Sequence, residues 1–93
     1  MNTKVWKNIT EVKKANKSIN HNWFAFDAMS FFKTKVETPI LHGRYFITSE
    51  INPSNEKAYS IRVVNDNGSI DTVGEFHSFI SVETAKEFLN KSI

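Results

Sequence analysis

The side chains that can hold a metal ion or act as nucleophiles are few in this 93-residue chain. It contains no cysteine, which excludes disulfides, thiolate catalysis and cysteine-based zinc sites. The three histidines stand far apart, at positions 21, 42 and 77. His77 and Glu75 would share one face of a strand, but a metal site needs a third ligand, and no residue offers it at suitable spacing. We therefore predict surface or strand-edge histidines and no metal site.

Catalytic and phosphate-binding motifs are also missing from the sequence. The chain has three glycines, and none belongs to the GxGxxG or Walker pattern with which a loop binds phosphate groups. Residues 66–71 match part of a calcium loop but lack its later acidic ligands, and a β-hairpin explains them. Asp71 and Glu75 lie on the same face of a predicted strand, and we expect that face to be exposed to solvent. The sequence thus predicts a protein that is not an enzyme and needs no cofactor.

Two helices are predicted before the first strand. Apolar residues at helical spacing within residues 4–19 predict an N-terminal helix, which we expect to be peripheral or frayed within residues 1–20. Asn20-His21-Asn22 is expected to end it. Asp27 is a suitable N-cap for a short helix through Phe32. The polar segment 34–39 ends in a proline, which cannot continue a helix.

Three strands follow, each rich in aromatic and β-branched residues. They are predicted at residues 42–50, 57–65 and 69–77. The sequence Asp66-Asn67-Gly68 is typical of a tight hairpin turn, because its residues tolerate positive φ. Asn52-Pro53-Ser54-Asn55 predicts a looser turn between the first two strands. The order indicates a three-stranded antiparallel meander.

The C-terminal segment is the clearest helix in the sequence. Ser81 is a favourable N-cap, and Ile80 is placed to pack on Ala85 as a hydrophobic staple. The predicted core stripe comprises Ala85, Phe88 and Leu89. We expect it to pack on three residues of one sheet face, Tyr59, Ile61 and Val63. The predicted fold class is α+β: an N-terminal helix, a short helix, the three-stranded meander and a C-terminal helix packed on the sheet, in a single domain over residues 1–93.

Two surfaces are candidates for binding. The first is the sheet face opposite the C-terminal helix, where arginines, an aromatic ring and hydroxyls alternate along two strands, as in contact patches. The candidate partner-binding residues are Arg44, Phe46, Thr48, Ser60 and Arg62. In the alternative, the N-terminal segment covers this face, and its aromatic residues bury Phe46 and Val64 in the core.

The second surface is a series of lysines near the N-terminus. Residues 1–44 carry eight Lys or Arg against three acids, a net +5, whereas residues 45–93 carry four against seven, a net −3. The lysine series, with Trp6 interleaved, is suited to contact a phosphate backbone; its alternative is a solubilising helix face. The candidate nucleic-acid-binding residues are Lys4, Lys7, Lys13, Lys14, Lys17, Arg44 and Arg62.

Residues 59–88 resemble the last hairpin and helix of the arm-binding domains of phage-type tyrosine recombinases. The likeness rests on two pieces, Gly74-Glu75-Phe76 and Ser81-Xaa-Xaa-Thr84-Ala85-Xaa-Xaa-Phe88. It implies that the sheet enters the DNA major groove, with Arg44 and Arg62 as candidate readers of the bases.

Residues 23–89 are similar to short uncharacterised proteins encoded by bacteriophages. The shared pieces are Trp23-Phe24, Asp27-Ala28-Met29-Xaa-Phe31-Phe32, residues 43–50, Tyr59-Xaa-Ile61-Arg62 and Gly74-Glu75-Phe76. This resemblance implies an accessory protein that binds and alters a host or defence component.

Together these observations predict a small, non-enzymatic phage or mobile-element accessory protein. We expect it to bind and inhibit a host or defence macromolecule, a protein in preference to a nucleic acid. The alternative is a DNA-binding accessory module that uses its three-stranded sheet and basic N-terminal helix. Homodimerisation stays open. No apolar run approaches the ~18–20 residues of a membrane span, and the lack of cysteine favours a reducing compartment, so we expect the host-cell cytoplasm and no membrane partner.

Overall fold

The structure, a computed structural model, describes residues 4–25, 30, 32–75 and 77–92. Within these residues the chain forms helix α1 (Ile9–Ser18), strands β1 (Lys35–Val36), β2 (Tyr45–Ile51), β3 (Lys57–Val64) and β4 (Ile70–Val73), and helix α2 (Val82–Ser92). The strands form one antiparallel sheet in the order β1-β2-β3-β4. The predicted α+β class is confirmed. The predicted short helix capped by Asp27 lies largely outside the described residues.

The sheet has four strands rather than the predicted three. The added strand β1 pairs with β2 at the edge of the sheet, Lys35 opposite Ser49 and Val36 opposite Thr48. It lies in the polar segment 34–39, for which no strand was predicted. A two-residue edge strand depends on its neighbour's hydrogen bonds rather than on its own β-propensity, so local sequence gives little signal for it.

Both predicted turns between the longer strands are confirmed. Asn55 N donates to Asn52 O at 2.8 Å, and Gly68 N donates to Asn65 O at 2.9 Å. The first and third strands are shorter than predicted. His42 and Gly43, with φ of 52° and 76°, form a turn before β2, and Gly74, with φ of 72°, ends β4.

Helix α1 begins at Ile9, five residues after the start of the predicted span 4–19. Asn8 is the N-cap, since its side-chain oxygen accepts from Glu11 N at 2.9 Å. Residues 4–8 form no helix or strand, and Trp6 N donates to Gly43 O at 2.6 Å. At the other end, Asn20 adopts φ of 60°, so the expected break after the helix is confirmed.

Helix α2 begins as predicted. Ser81 Oγ accepts from Thr84 N at 3.0 Å, which confirms Ser81 as the cap. Ala85 and Leu89 are buried in one cluster with Ile61, and Tyr59 packs against it. The predicted hydrophobic staple is wrong, because Ile80 is 84% exposed and Ala85 is buried in the cluster with Ile61 instead.

The strand register divides the sheet into two faces. The α1 face carries the even-numbered residues of β2 and β3, including the pairs Phe46–Arg62 and Thr48–Ser60. The α2 face carries the odd-numbered residues, including the pair Ile47–Ile61. No helix in the described part of the chain is long and apolar enough to cross a membrane.

Candidate functional site

The predicted partner-binding patch lies on the α1 face and is not exposed. Phe46, Thr48 and Ser60 are fully buried, and Arg62 is only 6% exposed. Arg44 is half-buried in the turn before β2. A partner cannot reach side chains that lie beneath another layer of the same protein, so the prediction of an exposed patch is wrong.

The alternative interpretation, in which the N-terminal segment covers this face, is confirmed. Trp6 and Val12 are buried in one apolar cluster with Phe46 and Val64. The Trp23 ring packs against the same cluster and meets Phe46 edge-on, with 5.8 Å between ring centroids. The segment before α1, the helix itself and the turn that follows it therefore form the cover.

A buried polar cluster occupies the same face beside these apolar residues. Glu50 is fully buried, and its Oε1 accepts from Ser60 Oγ at 2.7 Å. Its Oε2 accepts from Arg62 Nη2 at 3.1 Å and from the Thr48 hydroxyl. Arg62 Nε donates to Thr48 Oγ1 at 3.0 Å, and its Nη1 donates to Thr72 Oγ1 at 2.5 Å. Every oxygen of the carboxylate thus has a donor, which a buried charge requires.

Two further groups enclose the cluster. The Arg62 guanidinium carbon lies 5.2 Å from the centre of the Trp23 ring, within the range of a cation–π contact. From the chain after β4, His77 N donates to Ser60 Oγ at 2.7 Å, and His77 Nε2 lies 2.9 Å from the backbone oxygen of Glu50. The cluster therefore connects the two central strands, the turn at Trp23 and the segment that leads to α2.

These contacts favour a structural role for the cluster. Arg62 is held by hydroxyls and a carboxylate, so it is not available to read DNA bases, and the expectation that this sheet face enters the major groove is wrong. The sequence pattern predicted a surface position for Arg62 and no role for Glu50. The available signal was the alternation of polar residues at positions 48, 50, 60 and 62 on neighbouring strands.

The lysine series is exposed along the outer side of the α1 layer. Lys4 and Lys7 lie in the segment before α1, and Lys13, Lys14 and Lys17 lie on α1. Trp6 does not belong to this surface, because it is buried in the core, and Lys4 Nζ lies 4.3 Å from the centre of its ring. The surface therefore offers ammonium groups without the interleaved aromatic ring that was predicted at Trp6.

A groove of about 270 Å³ lies between α1 and the turn that follows it. Its lining residues are Lys13, Asn16, Lys17, Asn22, Phe24 and Ala25. Asn16 is buried and connects the walls: its Nδ2 donates to Gly68 O at 2.9 Å, and its Oδ1 accepts from Trp23 N at 2.8 Å. The groove is thus a basic concavity with one aromatic side chain among its described lining residues. It was not predictable from the sequence, because its walls meet only in the folded chain.

The histidines are spread over the molecule. His21 and His42 are exposed, and His42 Nε2 lies 2.8 Å from Asn90 Oδ1. Among the described residues, no three His, Asp or Glu side chains lie close enough together to hold a metal ion. A second groove, of about 250 Å³, lies on the α2 side and is lined by Phe79, Thr84, Glu87, Phe88 and Lys91.

The comparisons with known proteins give one match. No curated protein and no solved structure matches the chain. A family model matches residues 8–90, which span α1, all four strands and most of α2. The match includes the groove and the three lysines of α1, whereas Lys4 and Lys7 precede it. The chain belongs to DUF7447, a family of unknown function.

Proposed function

We propose that this protein is a non-enzymatic binding module that contacts nucleic acid through the basic outer side of the α1 layer. The observation that carries this proposal is the charge of residues 4–18. Five exposed lysines stand there against one acid, Glu11, which leaves a net +4. A concentration of positive charge on one side of a small domain attracts polyanions.

The type of cation indicates how the nucleic acid is contacted. Lysine is a flexible point charge suited to phosphate groups, whereas arginine forms the bidentate contacts that distinguish bases. The chain has only two arginines, and Arg62 is held inside the buried polar cluster. We therefore propose phosphate contacts that do not depend on the base sequence.

The resemblance to short bacteriophage proteins supports a role for such binding inside an infected cell. In this proposal the protein is a phage or mobile-element accessory factor that occupies or protects a host nucleic acid in the cytoplasm. Its effect on the host machinery is inhibitory, because a bound accessory protein competes with host proteins for the same phosphates.

The experiment compares two triple variants that each neutralise three exposed lysines. Lys13→Gln/Lys14→Gln/Lys17→Gln changes α1, and the control Lys57→Gln/Lys86→Gln/Lys91→Gln changes β3 and α2. Fluorescence anisotropy with a labelled 30-base-pair duplex at salt concentrations from ~50 to ~200 mM is the measurement. We expect at least tenfold weaker binding for the α1 variant. The slope of log K against log salt should be shallower by about 2.7 if each lysine contacts one phosphate. The absence of duplex binding at ~50 mM salt, or equal losses in both variants, would contradict the proposal.

A protein partner is the second candidate, and one observation favours it. Ile80 is 84% exposed and Phe88 is 44% exposed. Phe88 and Phe79 both line the groove on the α2 side, with 5.3 Å between their ring centroids. Exposed apolar side chains beside a groove are typical of protein contacts. The test is capture of a bacterial protein after nuclease treatment. This candidate is supported if the lysine variant still captures the protein and the Ile80→Ser/Phe88→Ser variant does not. It is contradicted if both variants capture the protein as the wild type does.

A further inference from the structure

The groove between α1 and the turn at residues 22–25 differs from the rest of the basic surface in its shape. Lys13 and Lys17, one helical turn apart, form one wall, and Asn22 and Ala25 belong to the other. Its volume of about 270 Å³ lies just below the roughly 300–1,000 Å³ of pockets for drug-sized ligands. The groove therefore has room for one small planar group and for little more.

The side chain of Phe24, which lines this groove, is positioned by contacts with other aromatic rings. The Phe24 ring stacks on the fully buried Phe46, with 6.2 Å between centroids and an interplanar angle of 24°. The Trp23 ring contacts it edge-on at 4.9 Å. Asn16 fixes the turn through its bond to Trp23 N. Phe24 itself is only half-buried, so part of a positioned ring faces the groove.

We infer that this groove binds one unpaired base of a single-stranded nucleic acid. The base stacks on Phe24, and Lys13 and Lys17 contact the phosphates on either side of it. In the free protein Lys13 Nζ lies over the Phe24 ring, 5.6 Å from its centre, so this side chain moves off the ring towards a phosphate when a base stacks there. Aromatic stacking combined with a basic groove is how single strands are bound without sequence preference. The inference rests on the proposed function and adds the strandedness of the nucleic acid.

The geometry distinguishes single strands from duplex. Bases in a duplex are stacked on each other and present only their edges, so none can lie on the Phe24 ring. A duplex can still contact the lysines through its phosphates. The structure therefore predicts a preference for single strands that depends on Phe24, in addition to an affinity for both forms that depends on the lysines.

The experiment measures binding of a 12-nucleotide oligo-dT and of a 12-base-pair duplex at the same salt concentration. We expect the wild type to bind oligo-dT at least tenfold more tightly than the duplex. Phe24→Leu keeps an apolar side chain against Phe46 but removes the ring, and should lose roughly tenfold in oligo-dT affinity with little change for the duplex. Phe24→Tyr keeps the ring and should bind like the wild type.

A second variant tests the groove without changing Phe24, whose substitution could disturb folding. Ala25 is exposed and lines the groove, so Ala25→Glu adds bulk and negative charge without disturbing the core. Its control is Ser54→Glu, which adds the same charge at an exposed turn between β2 and β3. We expect Ala25→Glu to weaken oligo-dT binding at least tenfold and Ser54→Glu to change it less than threefold.

The outcomes separate this inference from the proposed function. One outcome would contradict base binding in the groove and still support the proposed function. In it, the wild type binds oligo-dT and duplex with equal affinity, the α1 lysine variant loses this binding, and Phe24→Leu and Ala25→Glu retain it. Competition by inorganic polyphosphate as effective as by oligo-dT would likewise overturn base stacking. If neither form binds at ~50 mM salt, both proposals fail.

Discussion

The two faces of the sheet are buried by different kinds of side chain. On the α2 face, Ile47, Ile61, Ala85 and Leu89 form a buried apolar cluster, and the buried hydroxyl of Ser49 donates to Glu37 outside it. On the α1 face, an apolar cluster shares the space with the Glu50–Arg62 ion pair and its hydroxyl partners. Apolar packing requires size and shape, whereas a buried ion pair requires defined partners at defined positions. The α1 face therefore adds specificity for one strand register, because a one-residue shift of β2 or β3 would place its charge on the apolar face and leave the other charge buried without its partner.

The two helices that cover these faces differ in the net charge of their side chains. The described residues of α2 balance their charges, since Glu83 and Glu87 stand against Lys86 and Lys91. Lys91 Nζ lies 3.2 Å from Glu87 Oε1 in an exposed pair. In α1, three lysines stand against Glu11. The helix over the polar face thus carries the excess charge, whereas exposed apolar side chains occur near both helices, Val5 and Ile19 beside α1 and Ile80 and Phe88 at α2.

The largest expected effect concerns the buried ion pair. Arg62→Met should lower the free energy of unfolding by about 3–5 kcal/mol, because it leaves the carboxylate of Glu50 buried without its cation. The measurement is urea unfolding followed by circular dichroism. Lys57→Met, at an exposed position of the same strand, is the control and should change stability by less than about 0.5 kcal/mol.

A double variant shows whether the loss arises from the unpaired charge. Arg62→Met combined with Glu50→Met should recover part of the loss, because an apolar pair of similar size replaces two charges. If the single variant at Arg62 costs less than about 1 kcal/mol, the α1 face would not depend on the ion pair and the contrast between the faces would disappear.

The next effect concerns the apolar face. Leu89→Ala should lower the free energy of unfolding by about 2–4 kcal/mol, since Leu89 is 1% exposed and its truncation leaves a cavity against the sheet. The neighbouring Phe88→Ala removes more atoms but from a side chain that is largely outside the core. Urea unfolding should therefore show the smaller loss for Phe88, and the reverse order would contradict the placement of α2.

A glycine pair tests how closely α1 packs on the β3–β4 turn. Gly68 and Gly74 both have positive φ, of 98° and 72°. A Cβ on Gly68 would lie 2.7 Å from Ala15 Cβ, whereas a Cβ on Gly74 would meet nothing within 4 Å. Gly74→Ala should cost about 1 kcal/mol from backbone strain alone. Gly68→Ala should cost about 2 kcal/mol, because α1 must also move. Equal thermal unfolding temperatures for the two variants would argue against this contact.

The smallest expected effects concern the helix caps, one on each side of the sheet. Asn8→Ala and Ser81→Ala each remove the side-chain acceptor of a first-turn N–H, and each should cost about 1 kcal/mol. Replacement by Asp should restore stability in both cases, because a carboxylate accepts the same bond. Chemical denaturation of the four variants measures the effect. A loss at only one cap would show that the two helices contribute unequally to the folded state.

Local sequence patterns predicted the elements whose causes lie within a few residues. The hairpin at Asp66-Asn67-Gly68, the cap at Ser81 and the break after Ile19 needed no information from elsewhere in the chain. The start of α1 was predictable in the same way, since Asn8 and Glu11 have the spacing of a capping pair, and the periodicity of earlier residues obscured it. The strand β1 was not predictable, because two residues carry no period.

The candidate site was less predictable than the fold. Sequence alone identified the lysines correctly as exposed, since a charged ammonium group is rarely buried without a partner. It left Phe46 open between an exposed patch and the core, and it did not place Arg62 in a buried ion pair, because a residue alternating along a strand shows the same pattern whether solvent or another layer lies above it. Phe24 and Lys13 are eleven positions apart, and no local pattern indicates that they line one groove.

The amino-acid sequence therefore determined helices α1 and α2, the two turns between the longer strands, the α+β class and the charge of the N-terminal segment, because propensity, capping and net charge act over short distances. Only the tertiary structure decided which sheet face is covered, which charges are paired and where a groove forms. Burial depends on the layer that the rest of the chain places over a residue, and that layer comes from positions distant in the sequence.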